Sequence, residues 1–239
     1  FTLPEGTHDV VNVRQTDVAG NVGPIVNIGP ITVDNAAPAQ PTAVLADDTG
    51  DNDTDKITQN GEILVTPAEV GNQLEYQIGN DGPWTTIVGG SFTLTEGIYA
   101  IVNVRETDAA GNSTTPVNIG PIRVDITEPA ALGGSLFDDT GLSGDDGITQ
   151  NGTIVVDEPE PGAIVEYQVD GGEWTVVEDG QFVLPEGTST VVNIRQTDLA
   201  GNVGPATNIG PITVDTDEPL PITAELEEDT GDFDDDGIT

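Results

Sequence analysis

The chain has 239 residues, of which 43 are acidic and 5 are basic, so its formal net charge at pH 7 is −38. A surface this acidic excludes ordinary binding to nucleic acids or anionic membranes, both of which require basic patches. No apolar run approaches the length of a membrane-spanning helix. The sequence contains no Cys, so small extracellular domains built from it would need a stabiliser other than disulfide bonds.

Long segments recur along the chain. They begin at Phe1, Phe92 and Phe182, and each includes an acidic turn that reads RQTDVAGN, RETDAAGN or RQTDLAGN. Each is followed by a block such as NIGPITVD, and an acidic block that begins DDTG precedes the second and third copies. A repeat of roughly 90 residues has the size of one small domain. The sequence therefore predicts tandem domains cut from a longer protein, with the boundaries 1–34 (partial), 35–125, 126–215 and 216–239 (partial).

Short runs rich in Val, Ile, Thr and aromatic residues alternate with Gly, Pro, Asn and Asp, which is typical of strands and turns. About seven such strands in one repeat are typical of an Ig-like β-sandwich. The predicted fold class is all-β, with tandem Ig-like β-sandwich domains in an extended rod, because the joints VDNAAP, VDITEP and VDTDEP are short and contain Pro. The strands predicted for the first complete repeat are 43–46, 61–66, 73–78, 84–88, 91–95, 99–107 and 116–125.

Two sets of side chains recur in phase with the repeat. Trp84 and Trp174 recur with Tyr76 and Tyr167, and we interpret these aromatic residues as packing residues. The recurring Arg14, Arg105 and Arg195 are interpreted as cross-strand ion-pair partners on an acidic face. Catalytic residues are scarce, because the single His8 does not recur and there is no Cys nucleophile. The sequence therefore predicts no enzyme.

Clustered Asp, Asn and Gly residues in loops have the composition of a Ca²⁺ site, since this ion takes six to eight oxygen ligands. The spacing is not that of an EF-hand. In an Ig-like domain the F–G loop lies at the end where the chain enters, and the A–B and E–F loops lie at the other end. Each joint should therefore gather acids from several loops, and clustered carboxylates repel one another unless a cation bridges them.

Three joints follow from this topology. The predicted Ca²⁺ ligands are Asp34, Asp108 and Asn112 at the first joint; Asp48, Asp55, Glu96, Asp125, Asp198 and Asn202 at the second; and Asp139, Asp146, Glu186 and Asp215 at the third. Asp48 and Asp55 recur in phase as Asp139 and Asp146, and again as Asp229 and Asp236. Each Asp taken singly has a competing interpretation, which is turn formation. A generally acidic, halophile-like surface is the alternative for the charge as a whole.

The combination of VDxxxP, DDTG with DGIT, EYQVDGGEW, FTLPEGT and RQTDxAGN resembles the bacterial Ig-like repeats of giant RTX-type surface adhesins. The resemblance covers the whole chain. It implies an extracellular, type I-secreted protein of the bacterial cell surface, with stacked domains that bind Ca²⁺ at their junctions. Such a region extends a distal adhesive module for attachment or biofilm formation. The alternative is that the domains themselves act as adhesive modules or assemble into filaments.

Overall fold

The computed structural model describes residues 1–224. The third acidic block, with the predicted positions Asp229 and Asp236, lies outside these residues. Every regular element of the described chain is a strand, which confirms the all-β fold class. This part of the chain has no helix with the length and apolar content needed to cross a bilayer.

Residues 1–34 form two small antiparallel pairs, β1 with β4 and β2 with β3. These strands are β1 (Gly6–His8), β2 (Asn12–Val13), β3 (Val26–Asn27) and β4 (Ile31–Val33). The first complete repeat contributes β5 (Thr42–Leu45), β6 (Ile57–Thr58), β7 (Glu62–Thr66), β8 (Gln73–Ile78), β9 (Thr85–Thr86), β10 (Ser91–Thr93), β11 (Gly97–Tyr99), β12 (Val102–Thr107), β13 (Val117–Asn118) and β14 (Ile122–Val124).

The second repeat has the same strands in the same order. They are β15 (Gly134–Leu136), β16 (Ile148–Thr149), β17 (Thr153–Val156), β18 (Ile164–Val169), β19 (Thr175–Val176), β20 (Gln181–Val183), β21 (Gly187–Ser189), β22 (Val192–Thr197), β23 (Thr207–Asn208) and β24 (Ile212–Val214). The sheet orders are β10-β7-β5, β13-β12-β8-β9 and β11-β14-β6 in the first repeat, and β20-β17-β15, β23-β22-β18-β19 and β21-β24-β16 in the second.

The core of the first repeat lies between its sheets. Along β12 every second side chain is buried, and Val102 and Val104 are fully excluded from solvent. They belong to a cluster that includes Ile63 of β7 and Ile122 of β14, so the three sheets share one core. This arrangement is consistent with a β-sandwich, in which the inner faces of the sheets interdigitate. The ring of Tyr76 stacks on Phe92 with centroids 4.0 Å apart, which confirms a packing role for Tyr76.

The predicted continuous strands 99–107 and 116–125 are each broken in two. β11 ends at Tyr99 and β12 begins at Val102, whereas β13 ends at Asn118 and β14 begins at Ile122. Both breaks occur at one level, where the chain passes from the β12 sheet to the β14 sheet. A β-carbon on Gly120 would lie 2.7 Å from the carbonyl oxygen of Ala100, so only glycine permits this approach. The period-2 pattern of apolar residues shifts by one residue at each break, from Ile101 to Val102 and from Ile119 to Ile122.

A short strand inside the acidic block was not predicted. β6 runs parallel to β14, with Ile57 opposite Arg123 and Thr58 opposite Val124. The buried Thr58 hydroxyl donates to the carbonyl oxygen of Asp47 at 2.8 Å and accepts from the Asn60 N–H at 2.9 Å, so its side chain holds the block against itself. Because β6 pairs with β14, the acidic block is anchored at the edge of the β14 sheet.

The chain separates into two compact units. The first comprises 1–132, 159–165 and 195–206, and the described part of the second comprises 133–158, 166–194 and 207–224. The segments 159–165 and 195–206 of the second repeat thus belong to the first unit. The domain boundaries at 34, 125 and 215 stay a prediction, as does the extended rod.

Candidate metal centre

The recurring acidic turn closes on itself through hydrogen bonds. In the second copy, Asp108 Oδ1 accepts from the backbone N–H groups of Ala110 and Asn112 at 2.9 Å each, and Oδ2 accepts from Asn112 Nδ2 at 2.9 Å. Asp198 and Asn202 form the corresponding bonds at 2.8 Å. The turn-forming role of these aspartates is therefore present in the structure.

Hydrogen bonding also sets the acidity of this turn. The Asn112 side chain, together with backbone N–H groups, holds the pKa of Asp108 below its ordinary value of 3.8. The Asn21 side chain does the same for Asp17 in the first copy. Donors that face a carboxylate favour its charged form, so both turns keep their aspartate ionised.

The asparagine of the turn binds the segment that follows the last strand of the preceding repeat. Asn112 Nδ2 donates to the carbonyl oxygen of Asp34 at 3.1 Å, and Asn202 Nδ2 donates to that of Asp125 at 2.9 Å. Asn202 is buried. The predicted proximity of the F–G turn to the first and second joints is therefore found, and its contact is a direct amide–carbonyl hydrogen bond.

Within the first unit, the DDTG motif also contacts the acidic turn that contains Asn202. The Thr49 hydroxyl donates to the carbonyl oxygen of Ala200 at 2.5 Å. Gly50, with a φ of +96°, lies so close to Leu199 that a β-carbon would overlap the Leu199 carbonyl. Ala200 is 1% exposed. Thr49 and Gly50 were not among the predicted site residues, although the recurrence of Thr-Gly after the two aspartates is the signal that marks them.

At the first joint, Asp34 and Asp108 line one surface cavity of about 460 Å³ together with Glu69 and Asn72. The structure therefore brings two of the predicted ligands to one place and adds Glu69. Asp34 Oδ1 accepts from the Ala36 N–H at 3.0 Å, so part of its carboxylate holds the joint segment.

At the second joint, Asp125 has a protein cation as its partner. Arg123 Nη2 lies 2.6 Å from Asp125 Oδ2, and Asp125 Oδ1 accepts from the Thr127 N–H at 3.2 Å. Glu96 accepts from the Thr127 hydroxyl at 2.8 Å. Asp125 and Glu96 are thus linked through the joint segment, with an arginine beside them.

The predicted ligands Asp48 and Asp55 serve the acidic block itself. Asp48 Oδ2 accepts from the Lys56 N–H at 2.9 Å, and Asp55 Oδ1 accepts from the Ile57 N–H at 2.9 Å. Asp48 lines a cavity beside Lys56, Asn118 and Ile119 near the start of β14, whereas Asp125 follows its end. Asp48 Oδ1 is buried and has no hydrogen-bond partner.

The third joint contains an acidic triad. One carboxylate oxygen each from Glu186, Asp215 and Asp217 lies within 4.8 Å of the others, and all three residues are exposed. Within residues 1–224 this is the only group of three or more His, Cys, Asp or Glu side chains with that spacing. Asp217 was not predicted. The second Asp of VDTDEP, which VDITEP and VDNAAP lack, is the signal that marks it.

Asp139 and Asp146, the other ligands predicted for this joint, are not members of the triad. They line a separate cavity of about 410 Å³ with Asp145, Ile209 and Pro211. Asp139 Oδ2 accepts from the Gly147 N–H at 3.0 Å, and Asp139 Oδ1 is buried without a hydrogen-bond partner. The expected gathering of four ligands is thus divided between two places.

A predicted ion pair is found on the outer face of β8 and β12. Arg105 Nε lies 2.8 Å from Glu75 Oε2, and the guanidinium lies over the Trp84 ring at 4.1 Å from its centroid. This confirms the cross-strand role of Arg105. Both Arg105 and Glu75 are partly exposed, so the pair contributes little to stability.

Three carboxylates around one point can supply the oxygen ligands that hard cations such as Ca²⁺ require, with water and carbonyl groups completing the shell.

Neither a protein-family model nor a curated protein sequence matches this chain.

Proposed function

We propose that this chain is an extender region of a secreted bacterial surface adhesin. In this proposal the repeats are joined by hydrogen bonds from the asparagine of each acidic turn to the preceding joint, and Ca²⁺ stabilises the acidic joints. The observation that carries the proposal is the triad Glu186, Asp215 and Asp217. Glu186 directly precedes β21, and the two aspartates follow the last strand of the repeat, β24. Three like charges at this spacing repel one another unless a cation lies between them.

Repetition of the joint contact supports a structural role. Asn112 and Asn202 donate in the same way to the carbonyl groups of Asp34 and Asp125. Asp34, Asp125 and Asp215 each accept a hydrogen bond from the backbone N–H two residues later. The same joint is thus built several times from the same groups. An extender region needs reproducible joints, whereas an enzyme or a receptor-binding module needs a feature that differs from its neighbours.

In this proposal Ca²⁺ converts a chain with a net charge of −38 into a stiff rod by neutralising the acids at its joints. The site forms only when the joint is folded, so binding adds to folding stability. The affinity should lie in the range of extracellular modules, about 10⁻⁴ to 10⁻³ M. The resemblance to RTX-type adhesins adds the cell-surface location and the type I secretion route to the proposal.

Thermal unfolding with and without Ca²⁺ tests this function. At about 10 mM Ca²⁺, a site with a Kd of about 10⁻⁴ M stabilises the protein by ~2.7 kcal/mol. Asp215→Asn with Asp217→Asn should abolish most of the increase in Tm, whereas Glu173→Gln with Glu178→Gln removes the same charge elsewhere and should preserve it. Ca²⁺ replaced by NaCl of equal ionic strength controls for screening. Equal increases in both variants would contradict the proposed site.

A further inference from the structure

The basic residues differ between the two repeats. Arg14, Arg105 and Arg195 recur in phase, whereas the other two basic residues of the chain, Lys56 and Arg123, occur only in the first complete repeat. Gly147 and Thr213 occupy their positions in the second repeat. Both Lys56 and Arg123 lie beside acids that the sequence singles out as cation ligands.

Arg123 binds the carboxylate at the end of β14 directly. Its Nη2 lies 2.6 Å from Asp125 Oδ2, and the Asp125 side chain is 18% exposed. The corresponding Thr213 in β24 forms a hydrogen bond with the Thr188 hydroxyl at 2.9 Å and carries no charge. The carboxylate at this position therefore has a cationic partner in one repeat and a neutral neighbour in the other.

The joint that lacks the arginine has more carboxylates than the joint that contains it. Thr127 follows Asp125 by two residues and donates its hydroxyl to Glu96. Its counterpart in the second repeat is Asp217, which brings a third carboxylate to Glu186 and Asp215. Compared with the joint at Asp125, the joint at Asp215 thus lacks the guanidinium group and has one more carboxylate. A change of about two charges at that position separates the two joints.

Lys56 shows the same relationship at a second place. Its Nζ donates to the carbonyl oxygen of Ile119 at 2.9 Å, beside the cavity that Asp48 and Asp53 line. In the second repeat Gly147 supplies no ammonium group, and the corresponding cavity is lined by Asp139, Asp145 and Asp146 next to Ile209. A second cation of the protein is therefore present in the first repeat and missing in the second.

We infer that Arg123 is a cation built into the chain that takes the place of a divalent metal ion at Asp125, so that the Asp125 joint depends on Ca²⁺ less than the joint of Glu186, Asp215 and Asp217. The inference rests on the proposed function and deepens it, because it names a residue that lowers the metal requirement of one joint. The Asp125 carboxylate already has a positive charge of the chain beside it, since the Arg123 guanidinium lies 2.6 Å away. A divalent ion that approached Asp125 would meet a positive charge within a few ångströms, which should weaken its binding at least ~10-fold.

Reciprocal exchanges in the full chain test this inference, with Ca²⁺ stoichiometry and affinity measured by isothermal titration calorimetry. Arg123→Thr with Thr127→Asp gives the Asp125 joint the residues of the Asp215 joint, and should add one Ca²⁺ site. Thr213→Arg with Asp217→Thr does the reverse, and should weaken one existing site at least ~10-fold. Arg14→Thr with Val18→Asp changes the net charge as the first exchange does, away from both joints, and should add no site.

The outcomes separate the two hypotheses. If the wild-type chain binds Ca²⁺ and neither exchange alters stoichiometry or affinity, the role of Arg123 is overturned and the proposed function stands. If the wild-type chain binds no Ca²⁺ up to about 10 mM, well above the range of extracellular modules, the proposed function fails. Tryptophan fluorescence reports whether each variant folds. Should the Thr213→Arg exchange fail to fold, the gain of a site in the Arg123→Thr exchange decides the matter alone.

Discussion

Gly50 packs directly against the carbonyl group of Leu199, and a β-carbon at position 50 would overlap that oxygen. The contact joins the DDTG motif of one repeat to the acidic turn of the next, and the hydrogen bond from Thr49 to Ala200 lies beside it. Two of the most regular motifs of the sequence therefore meet at a single contact.

Gly50→Ala should disrupt this contact, whereas Gly141→Ala should not. Both glycines have a positive φ, +96° and +109°, so alanine is strained at either position. The nearest heavy atom to a β-carbon on Gly141 is 4.0 Å away, so only Gly50→Ala adds a steric overlap. We expect Gly50→Ala to lower the free energy of unfolding by about 1–3 kcal/mol more than Gly141→Ala. Equal losses in urea unfolding would show that the contact contributes nothing.

Asn202→Ala should weaken the joint at Asp125. The substitution removes the buried hydrogen bond from Nδ2 to the Asp125 carbonyl in addition to the bond within the turn. Asn21→Ala removes only the bond to Asp17 that the structure gives that side chain. We expect the first variant to be destabilised by ~1–2 kcal/mol more than the second. Hydrogen exchange at the Thr127 amide provides a local measure, and unchanged protection there would contradict the account.

Asp108 should titrate below its ordinary pKa of 3.8. The Asn112 side chain and backbone N–H groups stabilise the charged form, so the stabilisation is fully present above about pH 4 and is lost as pH falls through the lowered pKa. Carbon-detected NMR of the carboxyl groups in chelator measures this pKa directly. Asn112→Ala should raise it toward 3.8. A midpoint at or above 3.8 in the wild-type chain would refute the interpretation.

Glu106→Gln should destabilise the first repeat. The fully buried Glu106 carboxylate accepts from the backbone N–H groups of Ala68 and Glu69 and from Asn72 Nδ2, at 2.8, 3.0 and 2.8 Å. An amide nitrogen at this position would face a donor, which costs about 1–3 kcal/mol. Glu173→Gln at an exposed site is the control. An unchanged or higher midpoint in urea would contradict this view of the buried carboxylate.

In the second repeat, a glutamine replaces the buried Glu106 and forms different hydrogen bonds. Gln196 accepts from the Glu160 N–H and donates to the carbonyl oxygen of Ala130, each at 2.9 Å. The single difference between RETD and RQTD therefore changes which partners the side chain bonds. Sequence alone presents it as a conservative exchange.

The strands and the loop order could be predicted from the sequence, because apolar alternation and turn residues are local signals. They place β8 at 73–78 as predicted, and they bring Asn202 to the segment after β14 through the Ig-like topology. The breaks at Ala100 and Gly120 were not predicted. The apolar alternation does change phase there, but a single change of phase is also what a β-bulge produces.

The composition of the candidate metal centre was harder to predict. Asp217 adds the third carboxylate of the triad, whereas Asp139 lines another cavity. Which acids converge depends on where β16 pairs along β24, because that pairing places the acidic block near the start of the last strand. The pairing of a two-residue strand leaves no periodic signal in the sequence.

Small-angle X-ray scattering of the intact chain, with Ca²⁺ and with chelator, tests the calcium-stabilised extender most directly. The proposal predicts a larger maximum dimension and a narrower distribution of distances with Ca²⁺, and a shorter, broader distribution with chelator at equal ionic strength. Asp215→Asn with Asp217→Asn should give the chelator profile even when Ca²⁺ is present. Identical profiles in Ca²⁺ and chelator would contradict the central claim.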